Sequence, residues 1–410
     1  MDGITIRVSV LIVFLLSFYA CAQNQKAEPM TKMDPVAFHH SILTIDTHVD
    51  TPLPIKREAI DLGKRNDPYE YDSQVDLPRM KEGGLDAAFF AVWTPQGART
   101  DSGHAAIMDS ALWIIKRVHR AIDPYPDIVE FAREPDDAGR LAKQGKHAVY
   151  LGMENGYPIG TDLANLDLFY ELGVRYMTLC HSKNNEICDS STDSSEFGGL
   201  SDFGLQVVER MNDLGMMIDI SHVSDETVGQ VLENTRAPVI ASHSSAKAIC
   251  DHPRNLNDDL LEKIAENGGV VQLCILSAYV EESIDYPERD SARAALKAKW
   301  GPLEKIPVEE RATYRAERRR VNEEFPRTLS TVSRAVDHID HMVKIAGIDH
   351  VGIGTDFDGG GRLADCYDVS ELPNITAELF RRGYSEEDIK KIWSGNLLRV
   401  FREVQALKKS

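Results

Sequence analysis

The sequence predicts a (β/α)8 barrel with a helical insertion between its seventh and eighth strands. Three observations predict it. Eight short apolar runs, at 43–49, 87–93, 148–153, 175–180, 216–220, 238–241, 270–275 and 350–354, alternate with amphipathic, helix-like stretches. Near-continuous apolar runs suit strands covered on both faces, as in a parallel sheet between helices. Eight such units favour closure into a barrel, and no glycine-rich phosphate loop follows the first run to support an open doubly wound sheet.

The elements follow in chain order. Arg7 precedes an apolar stretch at 8–19 that ends on Ala20-Cys21. The stretch is too short to span a bilayer comfortably, so residues 1–20 read as a signal peptide. Ala20-Cys21 is similar to the cleavage site of bacterial lipoproteins, in which the cysteine carries the lipid. The polar residues 21–33 read as a tether, and 34–410 as a single barrel domain. The expected location is therefore outside the cytoplasm, periplasmic or anchored to a bacterial membrane through Cys21. Further along, Ser201, Ser224 and Asn257 stand just ahead of helix-like stretches, as N-caps do. Residues 281–327 break the rhythm. They contain the charged pattern EERATYRAERRRVNEEF and read as an inserted helical pair over the barrel or against a neighbouring subunit.

Charge and cysteine usage narrow the class. Lys and Arg total 46 against 65 Asp and Glu, for a formal net charge of −19. Such a surface repels phosphate backbones, which excludes nucleic acid as a partner. Beyond Cys21, the cysteines are Cys180, Cys188, Cys250, Cys274 and Cys366. The count is odd and no CxxC spacing occurs, so neither a disulfide framework nor a thiolate zinc site is implied. Export permits one or two bridges, and free buried thiols are the alternative.

The chemistry lies in how the runs end. The first ends in Asp46-Thr47-His48-Val49-Asp50, the third in Gly152-Met153-Glu154 and the fourth in Cys180-His181. The fifth ends in Asp219-Ile220-Ser221-His222, the sixth in Ser242-His243 and the eighth in Thr355-Asp356-Phe357-Asp358. Six runs thus deliver His, Asp or Glu to their C-terminal ends, where barrel enzymes build active sites. His48 and Asp50 are two apart on a strand and share one face. Together with Glu154, His222 and His243 they make three imidazoles and two carboxylates, enough for two divalent ions with a shared ligand. Two such ions bring four positive charges. Two carboxylates and a bridging hydroxide offset three of them, leaving a remainder that suits an anionic intermediate.

The pattern resembles the membrane (renal-type) dipeptidase family, peptidase family M19, a branch of the binuclear amidohydrolases. Six stretches carry the likeness: DTHVDTPLP from Asp46, GMENG from Gly152, MTLCHSKNNEICDSS from Met177, IDISHVS from Ile218, PVIASHSSAKAICDHPRNLND from Pro238, and HVGIGTDFDG from His350. The resemblance implies a dipeptidase with two Zn2+ per chain, bridged by Glu154 and a hydroxide. His48 and Asp50 would hold one ion, His222 and His243 the other. His181 would bond the scissile carbonyl and its oxyanion, and Asp356 would carry a proton to the leaving amine. Arg254 would pair with the substrate carboxylate, and Tyr279 would help bind the substrate. The implied substrates are free dipeptides, with D-residues accepted at the C-terminal side, and the implied assembly is a homodimer. Thr47, Val49 and Asn155 stand where the family more often has Gly, Asn and Gly. Two rivals remain at this level: an amidohydrolase acting on β-lactams or N-acyl amino acids, and a lipoprotein that binds peptides without cleaving them. His252, His338, His341 and His350 read as ordinary histidines, exposed or on helices.

Overall fold

The computed structural model describes residues 34–57, 60–71, 73–282, 286–301 and 303–409. The expected signal peptide, tether and Cys21 therefore lie outside the described residues.

Nine parallel strands form one sheet. They are β1 (Ile45–Val49), β2 (Ala87–Trp93), β3 (Val129–Phe131), β4 (His147–Glu154), β5 (Val174–Thr178), β6 (Met217–Asp219), β7 (Ile240–Ser244), β8 (Val270–Leu273) and β9 (Val351–Ile353). The order is β1-β2-β4-β5-β6-β7-β8-β9, with β3 paired to β4 off that path. β1 and the chain leaving β9 meet through a parallel bridge between Val49 and Phe357. There Asp356 N donates to His48 O at 3.0 Å and Asp50 N to Phe357 O at 2.7 Å. Eight strands thus close into a (β/α)8 barrel. The short β3 was not legible in the sequence, because three residues carry too little periodicity to register. β7 begins later and runs further than its apolar run, so His243 lies within the strand. β5 stops at Thr178, which leaves His181 on the loop beyond it.

Local chemistry explains the helices. Ser201, Ser224 and Asn257 accept from Gly204 N, Thr227 N and Leu260 N, capping Asp202–Leu214, Asp225–Asn234 and Asp258–Glu266. Each cap satisfies a backbone donor that the first helical turn leaves open. Gly215 then ends the first of these helices at φ +72°, a left-handed conformation glycine adopts without a Cβ penalty.

The core has two parts. Ile45, Phe89, Tyr150, Tyr176, Met217, Ile240 and Val270 fill the barrel with Phe401 and Val404 of the C-terminal helix Asn396–Ala406. Phe89 stacks on Tyr150 with ring centroids 4.7 Å apart, and Phe401 meets Tyr150 edge-on at 5.9 Å. Alternate residues such as Phe90, Val92, Val149, Leu151 and Met153 join the second, larger cluster beneath the helices. Period-two alternation therefore puts Tyr150 and Glu154 on one face of β4, with an aromatic floor below the carboxylate. Between β8 and β9 run the helices Pro287–Trp300 and Arg311–Glu324 of the expected insertion. All five cysteines of the described residues are free and buried.

Candidate metal centre

Glu154 stands at the middle of the C-terminal rim, 3% exposed. Its Oε2 lies 3.5 Å from His48 Nε2. Its Oε1 lies 3.0 Å from His222 Nε2, 3.4 Å from His181 Nε2 and 3.6 Å from His243 Nε2. One carboxylate thus faces imidazoles on both sides. Asp50 Oδ2 is 3.9 Å from His48 Nε2. Ligand-type atoms gather within 4.8 Å of one another in three sets: His48, Glu154 and His243; Glu154, His181 and His222; His48, Asp50 and Asp356. All five expected metal ligands come together, and His181 and Asp356 join them.

The rim is built by turns the strands alone do not supply. Among the described residues four non-glycines have positive φ: Asn155 (82°), His222 (72°), Asp356 (62°) and Asp358 (68°). Each follows β4, β6 or β9, at the end where the expected ligands sit. Conformations of this kind cost about 1–3 kcal/mol each and persist where the surroundings hold them. Buried carboxylates do the holding. Asp46 accepts from His48 N at 3.1 Å, Thr355 N at 2.9 Å and Thr355 Oγ1 at 2.6 Å, tying β1 to the turn after β9. Asp219 does the same for the turn after β6 and for β7. Tyr176 places its hydroxyl 2.8 Å from His48 Nδ1. It can do so because residue 152 is glycine. A Cβ there would lie 2.1 Å from the Tyr176 ring.

Electrostatics mark the centre as short of positive charge. Burial raises Glu154 to about 8, with Asp219 adding to the rise and Arg254 opposing it. Burial likewise lifts Asp356 to about 7, and lifts Asp50 well above the carboxylate range, helped by Glu154. Burial lowers His181 to about 3 and holds His222 and His243 well below the usual imidazole value, with the Arg254 charge adding to each. Neutral imidazoles beside buried carboxylates are what divalent cations bind. The fit is tested by the atoms left over. His48 Nε2, Asp50 Oδ1 and Glu154 Oε2 are buried without a hydrogen-bond partner among the described residues. Such atoms are costly unless something satisfies them. Cations between them would do so.

The other expected residues line the same mouth. Arg254 is 4% exposed; its Nη2 donates to His243 O at 3.1 Å, and its Nε has no partner among the described residues. The guanidinium lies 5.6 Å from the Tyr279 ring centre. Burial raises the Tyr279 hydroxyl to about 12, so it remains a neutral donor. Ser182 Oγ is 2.7 Å from His181 Nδ1, and Trp93 sets its edge against the His181 ring at 5.7 Å.

Some contributors escaped the sequence reading. His252 stacks on Tyr279 at 4.4 Å and accepts from Arg254 N at 3.1 Å, so it belongs to the site. His338 is buried, accepting from Ala246 N at 3.0 Å and lying 2.9 Å from Val280 O, between the loop that carries Arg254 and the Ser277–Val280 turn. Asp46 and Asp219 had a signal, a charge inside an apolar run. Tyr176 had none, because its run fits any buried strand.

Comparison with known proteins agrees with this geometry. The family model for membrane dipeptidase, peptidase family M19, matches residues 34–410. Dipeptidase 3 of Rattus norvegicus is 32% identical over 391 residues, 93% of this chain and 69% of that protein. Dipeptidase tcpJ of Claviceps purpurea is 33% identical over 337 residues, 81% and 69% of the two. Among solved structures, the probable dipeptidase PvdM from Pseudomonas aeruginosa aligns with a TM-score of 0.77 at 35% identity, covering 91% of this chain and 98% of that one. A metallo peptidase from Rhodobacter sphaeroides, liganded with a phosphinate mimic of the dipeptide L-Ala-D-Ala, aligns with a TM-score of 0.70 at 25% identity, covering 88% and 99%.

Proposed function

As the chain belongs to the membrane dipeptidase family and is a metallo-dipeptidase, we propose that it hydrolyses free dipeptides with two zinc ions held around Glu154. The single observation that carries this reading is the convergence of His48, His222 and His243 on the two oxygens of one buried carboxylate. His48 and Asp50 would hold one ion, His222 and His243 the other, and Glu154 both. Zinc at such a site supplies a water acidified toward neutrality and polarises the scissile carbonyl.

The chain's own residues do the rest. Ser182 Oγ lies 2.7 Å from His181 Nδ1, and by donating there it would leave the imidazole proton on Nε2, toward Glu154. From there it can donate to the oxyanion that forms at the scissile carbon. Asp356, buried beside His48 and Asp50, is placed to take a proton from the attacking water and pass it to the leaving amine. Arg254 offers Nε and the rest of its planar fork to the C-terminal carboxylate, with the Tyr279 hydroxyl beside it. A cation fixed at the mouth of the site measures substrate length and favours dipeptides over longer chains. The L-Ala-D-Ala mimic bound by the Rhodobacter sphaeroides enzyme supports acceptance of a D-residue at the C-terminal side. We also propose export with a lipid anchor, from Ala20-Cys21, and, from the family resemblance alone, a homodimeric assembly.

The test is a panel of free dipeptides, Gly-D-Ala among them, with an N-acetylated control, assayed before and after chelation and zinc restoration. Chelator-sensitive cleavage of the dipeptides with the control intact is the expected outcome. Cleavage of the control alone, by protein holding two zinc ions, would move the function to an N-acyl amidohydrolase.

A further inference from the structure

We infer that Asp219 and Ser242 are positioning residues that preset His243 with its ring proton on Nδ1, so that its Nε2 is free to ligate. The inference rests on the reading above that this imidazole holds a cation.

Asp219 is fully buried and accepts from four donors. Its Oδ1 takes Ser221 N at 3.1 Å and Ser242 N at 2.8 Å. Its Oδ2 takes Thr178 Oγ1 at 2.5 Å and Ser242 Oγ at 2.7 Å. A hydroxyl has one proton to give. Ser242 gives its proton to Asp219, so its oxygen can only accept from His243 Nδ1, 2.8 Å away. His243 therefore carries its proton on Nδ1, and its Nε2 lone pair faces Glu154 and His222. The carboxylate sets the tautomer through a serine, by the logic that orients metal-bound histidines elsewhere.

Nitrogen-15 spectra of the full chain with labelled histidines, recorded without metal and again after zinc is added, test this directly. We expect His243 protonated on Nδ1 in both states, with its Nε2 resonance shifted by zinc. His243 protonated on Nε2 in the metal-free protein overturns the relay, even if zinc binds. If the protein takes up no zinc, the metal reading falls, and the metal-free tautomer of His243 still decides the relay. A second measurement is zinc affinity of Ser242→Ala by chelator competition, together with its thermal unfolding without metal. The expected result is binding weaker by about 10–100-fold, with unfolding little changed. Unaltered affinity overturns the proposal.

Discussion

The centre around Glu154 and the inserted helical pair are both rich in charged residues, and they treat charge in opposite ways. Arg311–Glu324 buries no side chain, and Pro287–Trp300 buries Arg289 among its described residues. The pair's charges meet at the surface, as in Lys299 with Glu317 at 2.7 Å and Arg319 with Glu323 at 3.0 Å. Water already solvates such groups, so each pair is worth little. At the centre, Glu154, Asp50 and Asp356 are buried, and their pKa values rise because burial outweighs the opposing charges of Arg254 and His48. The difference teaches that it is burial not offset by partners, more than the presence of charged residue types, that marks a site.

The comparison breaks most sharply at its middle. Glu154→Gln keeps the shape but removes the charge that faces both imidazole groups. Metal content by elemental analysis should fall below one ion per chain and dipeptide cleavage should drop to background. Two retained ions would show that Glu154 does not share them.

A smaller effect is expected one layer below. Gly152→Ala drives a methyl into the Tyr176 ring. The ring must shift from His48, so the change should cost about 1–3 kcal/mol in denaturant unfolding and weaken zinc binding. Full stability would mean that the barrel floor yields where the packing says it cannot.

The charge shortage also predicts a pH dependence of the metal-free protein. Glu154 and Asp356 are raised to about 8 and about 7, so the folded state keeps protons that the unfolded chain has already lost. Their contribution is complete below the unfolded carboxylate pKa and is lost as pH rises through the folded values. The buried histidines act with opposite sign, but only below their unfolded value of 6.5. Between about 6.5 and 8, then, metal-free stability should fall as pH rises, by about 1.4 kcal/mol per pH unit for each proton held. Saturating zinc should abolish the trend. Thermal unfolding across that window, with and without zinc, checks both.

At the other extreme, Arg319→Ala in the helical pair should change stability by no more than about 0.5 kcal/mol and leave dipeptide turnover intact. A large loss of turnover would make the pair part of the mouth and erase the contrast.

The sequence by itself determined the barrel, through eight apolar runs in alternation with capped helices, and the residue types gathered at its rim, through His, Asp and Glu at six strand ends. Both are local patterns, set by side-chain period and by capping chemistry, and therefore readable along the chain. Only the tertiary structure decided the rest. Glu154 faces imidazoles on both sides because β1, β6 and β7 bring His48, His222 and His243 to it around a closed circle. Asp219 meets Ser242 across 23 residues, and Tyr176 meets His48 across 128. Hydrogen bonds of that reach depend on register and strand closure, which no local pattern encodes. The same holds for His252, ordinary in its own segment, which becomes a wall of the site once the fold lays it on Tyr279.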